Sequence, residues 1–538
     1  MEEGIRRSAN YEASVWDDDY IQSLASPYMG EKYVREAEKL KDLVRILIDE
    51  TEEELDRLHL IDNVRRLGLS GHFKDQIAKM LDHIYVAQDW PEEDLHFTSL
   101  KFRLLRQHGY HVPQEVFCSL MDEEGNFKAC LCEDARGLIS LYEASYLSVE
   151  GESIMDLAKY FSLNLLARKL DQITEPRLSE QVRHALEVPL HWRLQKLEAW
   201  WFIQVYENTS EANLALVELS KLDYNMVQAT YQRELKRLSS WYKETGLREK
   251  LGFARHRMAE CFLWALGFVQ EPHLRYSREI LSKIAVLITI IDDIYDVYGT
   301  LEELQLFTHT IERWDINSLD SLPEYMKICF LALFNSVNEL AYHILRDQGF
   351  NVISNLTNLW AELCRAYYLE ARWFHSGYVP TTNEYLNTAW VSISGPLLLF
   401  YGYFTTNPIN KKELKRLEQY PGIIRWPSTV LRLADDLGTS SDEMKRGDVP
   451  KAMECYMKET GCSEEDARNH VKQLIDTALK RMNKEILMEN PIKYFGQAAM
   501  NLGRISLCMY QHGDGFGLPH SETKKNLVSL VVQPFPMP

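Results

Sequence analysis

The chain lacks several features that mark large classes of protein. Its 60 Lys and Arg residues against 79 Asp and Glu give a net charge of −19, and no strongly basic run relieves it. Such a surface repels nucleic acid and anionic membrane, so we expect neither as a partner. The nine cysteines are an odd number scattered from Cys118 to Cys508. They do not form a disulfide framework, and they indicate a reducing compartment.

Long apolar runs and strand patterns are missing as well. No uninterrupted apolar stretch reaches the roughly 18 residues that span a bilayer. The first residues, MEEGIRRSAN, have no apolar core of a secretory signal. We therefore expect a cytoplasmic protein, with the plastid as the alternative if a transit peptide has been removed. Sustained alternation of β-branched residues is nearly absent, whereas amphipathic helical spacing runs from Tyr33 onward. The sequence thus predicts an all-α fold.

A chain of 538 residues is too long for one compact core. The weakest packing signal lies in YENTSEANLA, residues 206–215, where small polar residues gather between two helical patterns. We predict two helical domains, residues 1–220 and 221–538.

What the chain does contain is the segment IAVLITIIDDIYDVYG, residues 284–299. Its apolar part, unbroken by Gly or Pro, is typical of a buried helix, and it runs into Asp292, Asp293 and Asp296. Burying three carboxylates is costly unless a positive group neutralises them. Mg²⁺ is the predicted partner, because it takes oxygen ligands and keeps substrate phosphates in its shell. The alternative is an acidic helix end that has surfaced into water.

A second acidic pattern occurs in VLRLADDLGTSSDEMKRGDVPKA, residues 430–452. Asp435, Thr439 and Glu443 are four residues apart, so they share one stripe of a continuous helix. Two carboxylates and a hydroxyl on one stripe suit a hard cation. Gly438 inside the pattern costs about 1 kcal/mol relative to Ala, which argues against a merely structural helix. The alternative is a solvated helix end with ion pairs.

Basic side chains accompany both acidic patterns. Arg432 precedes the second one and Lys445 follows it, where a metal and a diphosphate would meet. Arg255 and Arg257 lie in RHR, upstream of the first pattern. Arginine pairs suit phosphate because the guanidinium donates bidentately. Trp264 stands seven residues after Arg257, so we expect the two to share a helix face.

Together, DDIYD, DDLGTSSDE and the upstream RHR resemble the motifs of the class I plant terpene synthases. The resemblance extends over the whole chain through RRSANYEASVW, LLRQHGY, LYEASYLSVEGES, PLHWR, EARWF and GDGFG. It points to the subfamily of monoterpene, isoprene and some sesquiterpene synthases, including mint-family bergamotene synthases. It implies a C-terminal helical bundle around an apolar cavity, with the acidic motifs facing each other across its mouth. It also implies an N-terminal relic class II domain, which here lacks the catalytic DxDD motif.

The resemblance also gives a role to the N-terminal segment. Arg6, Arg7 and Trp16 would belong to a strap that folds over the active site. Taken alone, the same residues fit an ordinary ion-paired tail. Ala13 stands where relatives usually have Pro, which would loosen the strap without touching the chemistry.

For the metals, the resemblance implies three Mg²⁺ ions, with Mn²⁺ as a substitute. Asp292 and Asp296 would hold two of them. The third would be held by Asp435, Thr439 and Glu443. Asp293, about 100° off the face of the other two aspartates, would support the site from behind. The expected diphosphate-binding side chains are Arg255, Arg257, Arg432 and Lys445.

Loss of diphosphate would leave an allylic carbocation, which needs a dry cavity lined by π-faces. Trp264, Tyr510 and Phe516 are the candidates. Asp514, four residues after Tyr510, would form a proton relay with it.

Cavity depth would select the substrate. Thr289, Ile288 and Ala285 share the face of Asp292 on the preceding helix turns. Ala285 is small and leaves room for another isoprene unit. We therefore expect conversion of farnesyl diphosphate to a bergamotene-like sesquiterpene, with geranyl diphosphate to a limonene-like monoterpene as the alternative.

Two other classes of protein remain as rivals. A chain-elongating prenyltransferase would show a second DDxxD in place of DDLGTSSDE. A non-catalytic helical scaffold would tolerate the combined loss of Asp292 and Asp435. We expect a monomeric enzyme that takes a small prenyl diphosphate.

Overall fold

The computed structural model describes residues 11–87, 89–91, 93–446, 450–488, 493–516 and 521–537, without the side chains of 441–446, 488, 493, 494 and 521. These residues contain α-helices, short 3-10 and π-helical turns, and no β-strand. A single isolated bridge joins Met121 and Phe127 among them. The predicted all-α fold is confirmed.

The first ten helices run from the N-terminus to the middle of the chain. They are α1 (Asp18–Ser23), α2 (Glu31–Glu50), α3 (Glu54–Arg66), α4 (Lys74–Ala87), α5 (Leu95–Gln107), α6 (Ala135–Ser145), α7 (Ser153–Lys169), α8 (Pro176–Glu187), α9 (Gln195–Tyr206) and α10 (Leu214–Thr245).

The remaining helices complete the chain. They are α11 (Leu247–Lys250), α12 (Met258–Phe268), α13 (Arg275–Asp293), α14 (Leu301–Arg313), α15 (Glu324–Gln348), α16 (Ile353–Ser376), α17 (Thr382–Ser392), α18 (Gly395–Thr406), α19 (Lys411–Leu417), α20 (Gly422–Arg446), α21 (Ala452–Thr460), α22 (Glu464–Asn483), α23 (Lys493–Tyr510) and α24 (Ser521–Leu527).

The chain divides into two compact units, but not at residue 220. One unit comprises Ala25–Thr230, Lys480–Pro491 and Ser529–Pro538; the other comprises Met1–Leu24, Tyr231–Leu479 and Ile492–Val528. Helix α10 runs without a break through residue 220, because its apolar spacing continues there. The polar segment 206–215 is a loop between α9 and α10, where the backbone N–H of Asn213 donates to the Tyr206 hydroxyl. The N-terminal segment therefore belongs to the same unit as the acidic motifs.

The N-terminal unit, Ala25–Thr230 with its two returning segments, contains a polar cavity of about 190 Å³. Largely buried ion pairs line it, including Arg103 with Asp62 at 2.8 Å and Arg66 with Glu198 at 2.8 Å. Burial raises the pKa of a further lining carboxyl, Glu143, to about 7. These acids do not form a DxDD motif, as the sequence indicates.

The C-terminal unit is a helical bundle. In it, α12 packs against α13 and α23, α20 packs against α18 and α23, and α18 also contacts α13 and α16. The apolar run predicted in α13 is buried, including Val286, Leu287, Ile290 and Ile291. Helices α17 and α18 are separated by a break at Ser394, which has a left-handed φ of 64°. A non-glycine residue in this region costs about 1–3 kcal/mol, so the surrounding packing must hold it there.

Helix α15 is, among the described residues, long and apolar enough to cross a membrane by length and composition alone. One face of it is buried, including Met326, Phe330, Leu333 and Val337. It packs against α13 and α16. The helix is therefore weak support for a membrane span.

A buried ion pair inside the C-terminal unit provides a stability test. Arg278 and Glu234 are both fully buried and lie 2.8 Å apart. Replacing Glu234 with Gln leaves the Arg278 charge uncompensated, so we expect a loss of about 3–5 kcal/mol in the free energy of unfolding. Urea denaturation followed by circular dichroism measures it. The control Glu279→Gln weakens the partly exposed pairs with Arg237 and Arg275 and is expected to cost at most about 1 kcal/mol. Equal losses in the two variants would contradict this assignment.

Candidate active site

A cavity of about 310 Å³ lies inside the C-terminal unit. Its apolar wall includes Trp264, Ala265, Phe268, Leu281, Ala285, Ile288, Leu398, Leu431 and Leu502. Its polar residues include Tyr11, Glu12, Arg255, Asp292, Asp296, Arg432, Asp435, Thr439, Lys451, Tyr510 and Asp514. The two acidic motifs, predicted from separate parts of the sequence, thus line one cavity.

The first acidic motif divides between the cavity and the protein interior. Asp292 and Asp296 line the cavity, whereas Asp293 is fully buried. Arg255 Nε donates to Asp293 Oδ1 at 2.8 Å and its Nη2 donates to Asp292 at 2.5 Å. Burial raises the pKa of Asp293 to about 6, although the Arg255 guanidinium opposes this. Asp293 therefore positions Arg255 rather than facing the cavity.

The second motif lies on α20, which is continuous from Gly422 to Arg446. Asp435 and Thr439 line the cavity from this helix. Arg432, also at the cavity, pairs with Asp435 and, at 2.6 Å, with Asp436. The side chains of Glu443 and Lys445 lie outside the described residues.

Behind the second motif, Asp436 joins three helices. The Tyr385 hydroxyl of α17 donates to its carboxylate at 2.9 Å, and the backbone N–H of Ala452 donates at 3.2 Å. Both acid and tyrosine are fully buried. These bonds fix the start of α21, where the preceding residue, Lys451, lines the cavity. Sequence reasoning missed Lys451 because it lies beyond the helical stripe and reaches the cavity only through this turn of the chain.

The three residues of RHR have three different surroundings. Arg255 lies at the cavity, and the ring of His256 is hydrogen-bonded to the Tyr242 hydroxyl at 2.5 Å. Arg257 is 1% exposed and is not among the residues that line the cavity. Helix α12 begins only at Met258, so the expected common helix face of Arg257 and Trp264 was wrong.

Aromatic side chains surround the cavity near the acids. The ring centroid of Trp264 lies 6.1 Å from that of Tyr510 and 6.5 Å from that of Phe516. Burial and the neighbouring Asp435 carboxylate raise the pKa of Tyr510. Tyr367 of α16 also lines the cavity. No local pattern identified it, because its helix contains many aromatic residues.

The described part of the strap, residues 11–16, contacts the site. Tyr11 and Glu12 line the cavity, and the Tyr11 ring lies 4.9 Å from the Arg255 guanidinium. Trp16 is buried at 5% exposure. Arg6 and Arg7 lie outside the described residues. Sequence reasoning named the strap for its arginines and missed Tyr11.

The deep wall of the cavity follows α13. Thr289, Ile288 and Ala285 all line it, and so does Leu281, eleven residues before Asp292. At a rise of about 1.5 Å per residue, Ala285 lies about 10 Å and Leu281 about 16 Å along the helix from Asp292. The cavity is therefore open for three helical turns below the acids.

The donor set suits a hard divalent cation. Carboxylate and hydroxyl oxygens are the ligands that Mg²⁺ prefers, with water and substrate phosphates completing its shell. Among the residues that the structure describes, no three His, Cys, Asp or Glu side chains form a complete metal site by themselves.

The cavity of this all-α bundle is lined by carboxylates from two helices, by cations and by aromatic side chains. This arrangement is that of the class I terpenoid synthases. Family comparison agrees: the terpene synthase metal-binding domain matches residues 243–481, and the terpene synthase N-terminal domain matches residues 15–186. The chain belongs to the terpene synthase family.

Two relatives are similar along their whole length. Exo-alpha-bergamotene synthase of Lavandula angustifolia is 68% identical, with 99% of each chain covered. Trans-alpha-bergamotene synthase of Phyla dulcis is 64% identical, with 98% of this chain and 99% of the relative covered. Myrcene synthase of Quercus ilex, which is 51% identical over 99% of this chain and 90% of its own, is named chloroplastic.

Solved structures show the same fold. A crystal structure of limonene synthase with 2-fluorolinalyl diphosphate has a TM-score of 0.97 at 43% identity, covering 99% of this chain and 100% of its own. Isoprene synthase from grey poplar (Populus x canescens), in complex with three Mg²⁺ ions and dimethylallyl-S-thiolodiphosphate, has a TM-score of 0.90 at 45% identity. It covers 97% of this chain and 99% of its own.

Gly438 has a packing role that periodicity alone did not show. A Cβ there would lie 3.0 Å from Tyr510 Cβ and 3.0 Å from the Gly513 carbonyl oxygen. We expect Gly438→Ala to shift Tyr510, lower kcat/KM about tenfold and change the product mixture, since sub-ångström misplacement disturbs catalysis. Steady-state kinetics with gas chromatography measures both. The control Gly71→Ala, where a Cβ meets nothing within 4 Å, is expected to match the unmodified enzyme. Unchanged products in Gly438→Ala would contradict the packing role.

Proposed function

We propose that the protein converts farnesyl diphosphate to a bergamotene-like sesquiterpene. The observation that carries this proposal is the open wall of α13, where Ala285 and Leu281 line the cavity two and three turns below Asp292. That depth suits a third isoprene unit. The names of the relatives from Lavandula and Phyla support the same substrate class. The reaction is that of a carbon–oxygen lyase, since diphosphate leaves without addition of water.

For the metals, we propose three Mg²⁺ ions, with Mn²⁺ able to replace them. Two would be held by Asp292 and Asp296 and one by Asp435, Thr439 and Glu443. When bound, the ions supply Lewis-acid stabilisation of the departing diphosphate. The bound ions in grey poplar isoprene synthase support this assignment.

Three cations at the cavity would bind the diphosphate. Arg255 is oriented by Asp293, Arg432 by Asp436, and Lys451 by the fixed start of α21. Preorganised charges of this kind stabilise the negative charge that develops as the C–O bond breaks, without reorganisation at the moment of reaction. Lys445 remains a further candidate, from the sequence alone.

The apolar and aromatic wall would control the carbocation. Trp264, Tyr367, Tyr510 and Phe516 present π-faces, each worth about 0.5–2 kcal/mol toward a cation. Leu281, Ala285 and Ile288 line the wall below the acids. This apolar part would keep away the water that would quench the cation. We propose that Asp514, beside Tyr510, accepts the proton lost at the end of the reaction.

The alternative substrate is geranyl diphosphate, which would give a limonene-like monoterpene. The fold similarity to limonene synthase favours it. Purified protein with Mg²⁺ should be assayed with each diphosphate, and the products identified by gas chromatography. We expect kcat/KM to be at least about tenfold higher with farnesyl diphosphate. A value tenfold higher with geranyl diphosphate would overturn the proposal. Incorporation of isopentenyl diphosphate in a coupled assay would instead indicate a chain-elongating prenyltransferase.

For its cellular state, we propose a cytoplasmic monomer without nucleic-acid or membrane partners. The net charge of −19 argues against nucleic-acid and anionic membrane partners. The plastid is the alternative, because some relatives are named chloroplastic. Light scattering after size exclusion and imaging of a fluorescent fusion test these assignments; a dimer mass or plastid fluorescence would overturn them.

A further inference from the structure

Two side chains at the start of α12 reach the strap. Arg257 Nη2 donates to the carbonyl oxygen of Glu12 at 2.7 Å. One turn further, Glu260 Oε1 accepts from the Ser14 hydroxyl at 2.8 Å. Arg257 and Glu260 are 1% and 2% exposed, so the two contacts to the strap come from buried side chains. The strap is thus bound at two successive positions by one helix end.

The same guanidinium also contacts the loop after α23. Arg257 Nε donates to the carbonyl oxygen of Phe516 at 3.3 Å. Glu12 and Phe516, the two residues whose carbonyls it binds, both line the cavity. One side chain therefore connects two chain segments that meet at the cavity from opposite ends of the sequence.

The geometry favours arginine for this connection. A guanidinium presents five N–H donors in a fixed planar fork and has no acceptor, so it can bind two carbonyl oxygens at once. A lysine ammonium carries the same charge but has no such fork. Keeping a guanidinium at 1% exposure is costly unless its donors and charge are satisfied.

We infer that Arg257 is a positioning residue that clasps Glu12 of the strap to Phe516 of the loop, and that it is not a diphosphate ligand. Only the expected effect of Arg257 variants on the products rests on the proposed function. A loosened clasp exposes the cavity to water, so more of the carbocation is captured as terpene alcohol. Diphosphate binding is maintained, because Arg255, Arg432 and Lys451 stay in place.

Arg257→Met and Arg257→Lys, in the full chain, test the inference by hydrogen–deuterium exchange. We expect the backbone amides of residues 11–16 and 513–516 to exchange about tenfold faster in both variants, while those of α13 are unchanged. Ser14→Ala removes the neighbouring hydrogen bond to Glu260 at a half-exposed position. It should speed amide exchange of residues 11–16 alone. It keeps the test available if Arg257 variants fold poorly. The control Arg237→Met, in an exposed pair with Glu279, should change neither segment.

Two activity measurements distinguish a clasp from a ligand. In the Arg257 variants, the inhibition constant for inorganic diphosphate, measured with Mg²⁺, should stay within about twofold of the unmodified value. The alcohol share of the products should rise several-fold. In Arg432→Met, the inhibition constant should rise about tenfold. The inference would be overturned if Arg257→Met raised the inhibition constant tenfold while amide exchange stayed unchanged. It would also be overturned if Arg257→Lys behaved like the unmodified protein in amide exchange and products. Absence of terpene product from the unmodified protein would refute the proposed function instead, and the exchange result would still stand.

Discussion

Replacing Asp292 with Asn is expected to lower kcat/KM for farnesyl diphosphate at least about 10³-fold. The change removes a carboxylate that lines the cavity four residues before Asp296 and holds Arg255 at 2.5 Å. It therefore weakens both the metal site and the placement of a diphosphate-binding cation. Product formation under saturating Mg²⁺ measures the loss.

A folding defect must be separated from this loss. The Asp292→Asn variant should keep its melting temperature, because removing one of several neighbouring carboxylates relieves repulsion. The matched control, Asp320→Asn, changes an exposed acid of the same unit and should retain full activity. Activity of Asp292→Asn within tenfold of the unmodified enzyme would mean that this motif does not hold a catalytic metal.

Replacing Ala285 with Leu is expected to reverse the substrate preference. The larger side chain would fill the cavity about 10 Å along α13 from Asp292, where a third isoprene unit would lie. We expect kcat/KM for farnesyl diphosphate to fall about 100-fold and that for geranyl diphosphate to change less than about fivefold. Competition between the two substrates, followed by gas chromatography, measures the ratio directly.

The ratio serves as its own control, because a general defect lowers both values together. Equal losses with the two substrates would show that Ala285 supports packing and not substrate length. Retention of the farnesyl preference would place the hydrocarbon chain elsewhere in the cavity, and the depth argument would then fail.

The sequence was informative wherever function followed helical periodicity. The face shared by Asp292, Ile288 and Ala285 depends only on 3.6 residues per turn, and all three line the cavity. The same holds for Asp435 and Thr439 on the continuous α20. The family resemblance added Trp264, Tyr510, Asp514 and Phe516, which also line it.

The sequence was insufficient wherever a position depends on packing between distant segments. Lys451 reaches the cavity because a buried Tyr385–Asp436 contact fixes the start of α21. Arg257 does not line the cavity, because it precedes α12, which begins at Met258. Gly438 stands out in the sequence only for its low helix propensity, whereas in the structure it allows α23 to approach α20 closely. No local pattern contains these tertiary distances.

The most direct test is a crystal structure with Mn²⁺ and a farnesyl thiolodiphosphate that cannot ionise. Anomalous scattering locates the metal, and the analogue marks the diphosphate and the hydrocarbon chain. We expect metal peaks beside Asp292 and Asp296 and beside Asp435 and Thr439, with the chain extending past Ala285. Metal peaks away from both acidic motifs, or an analogue outside this cavity, would contradict the account.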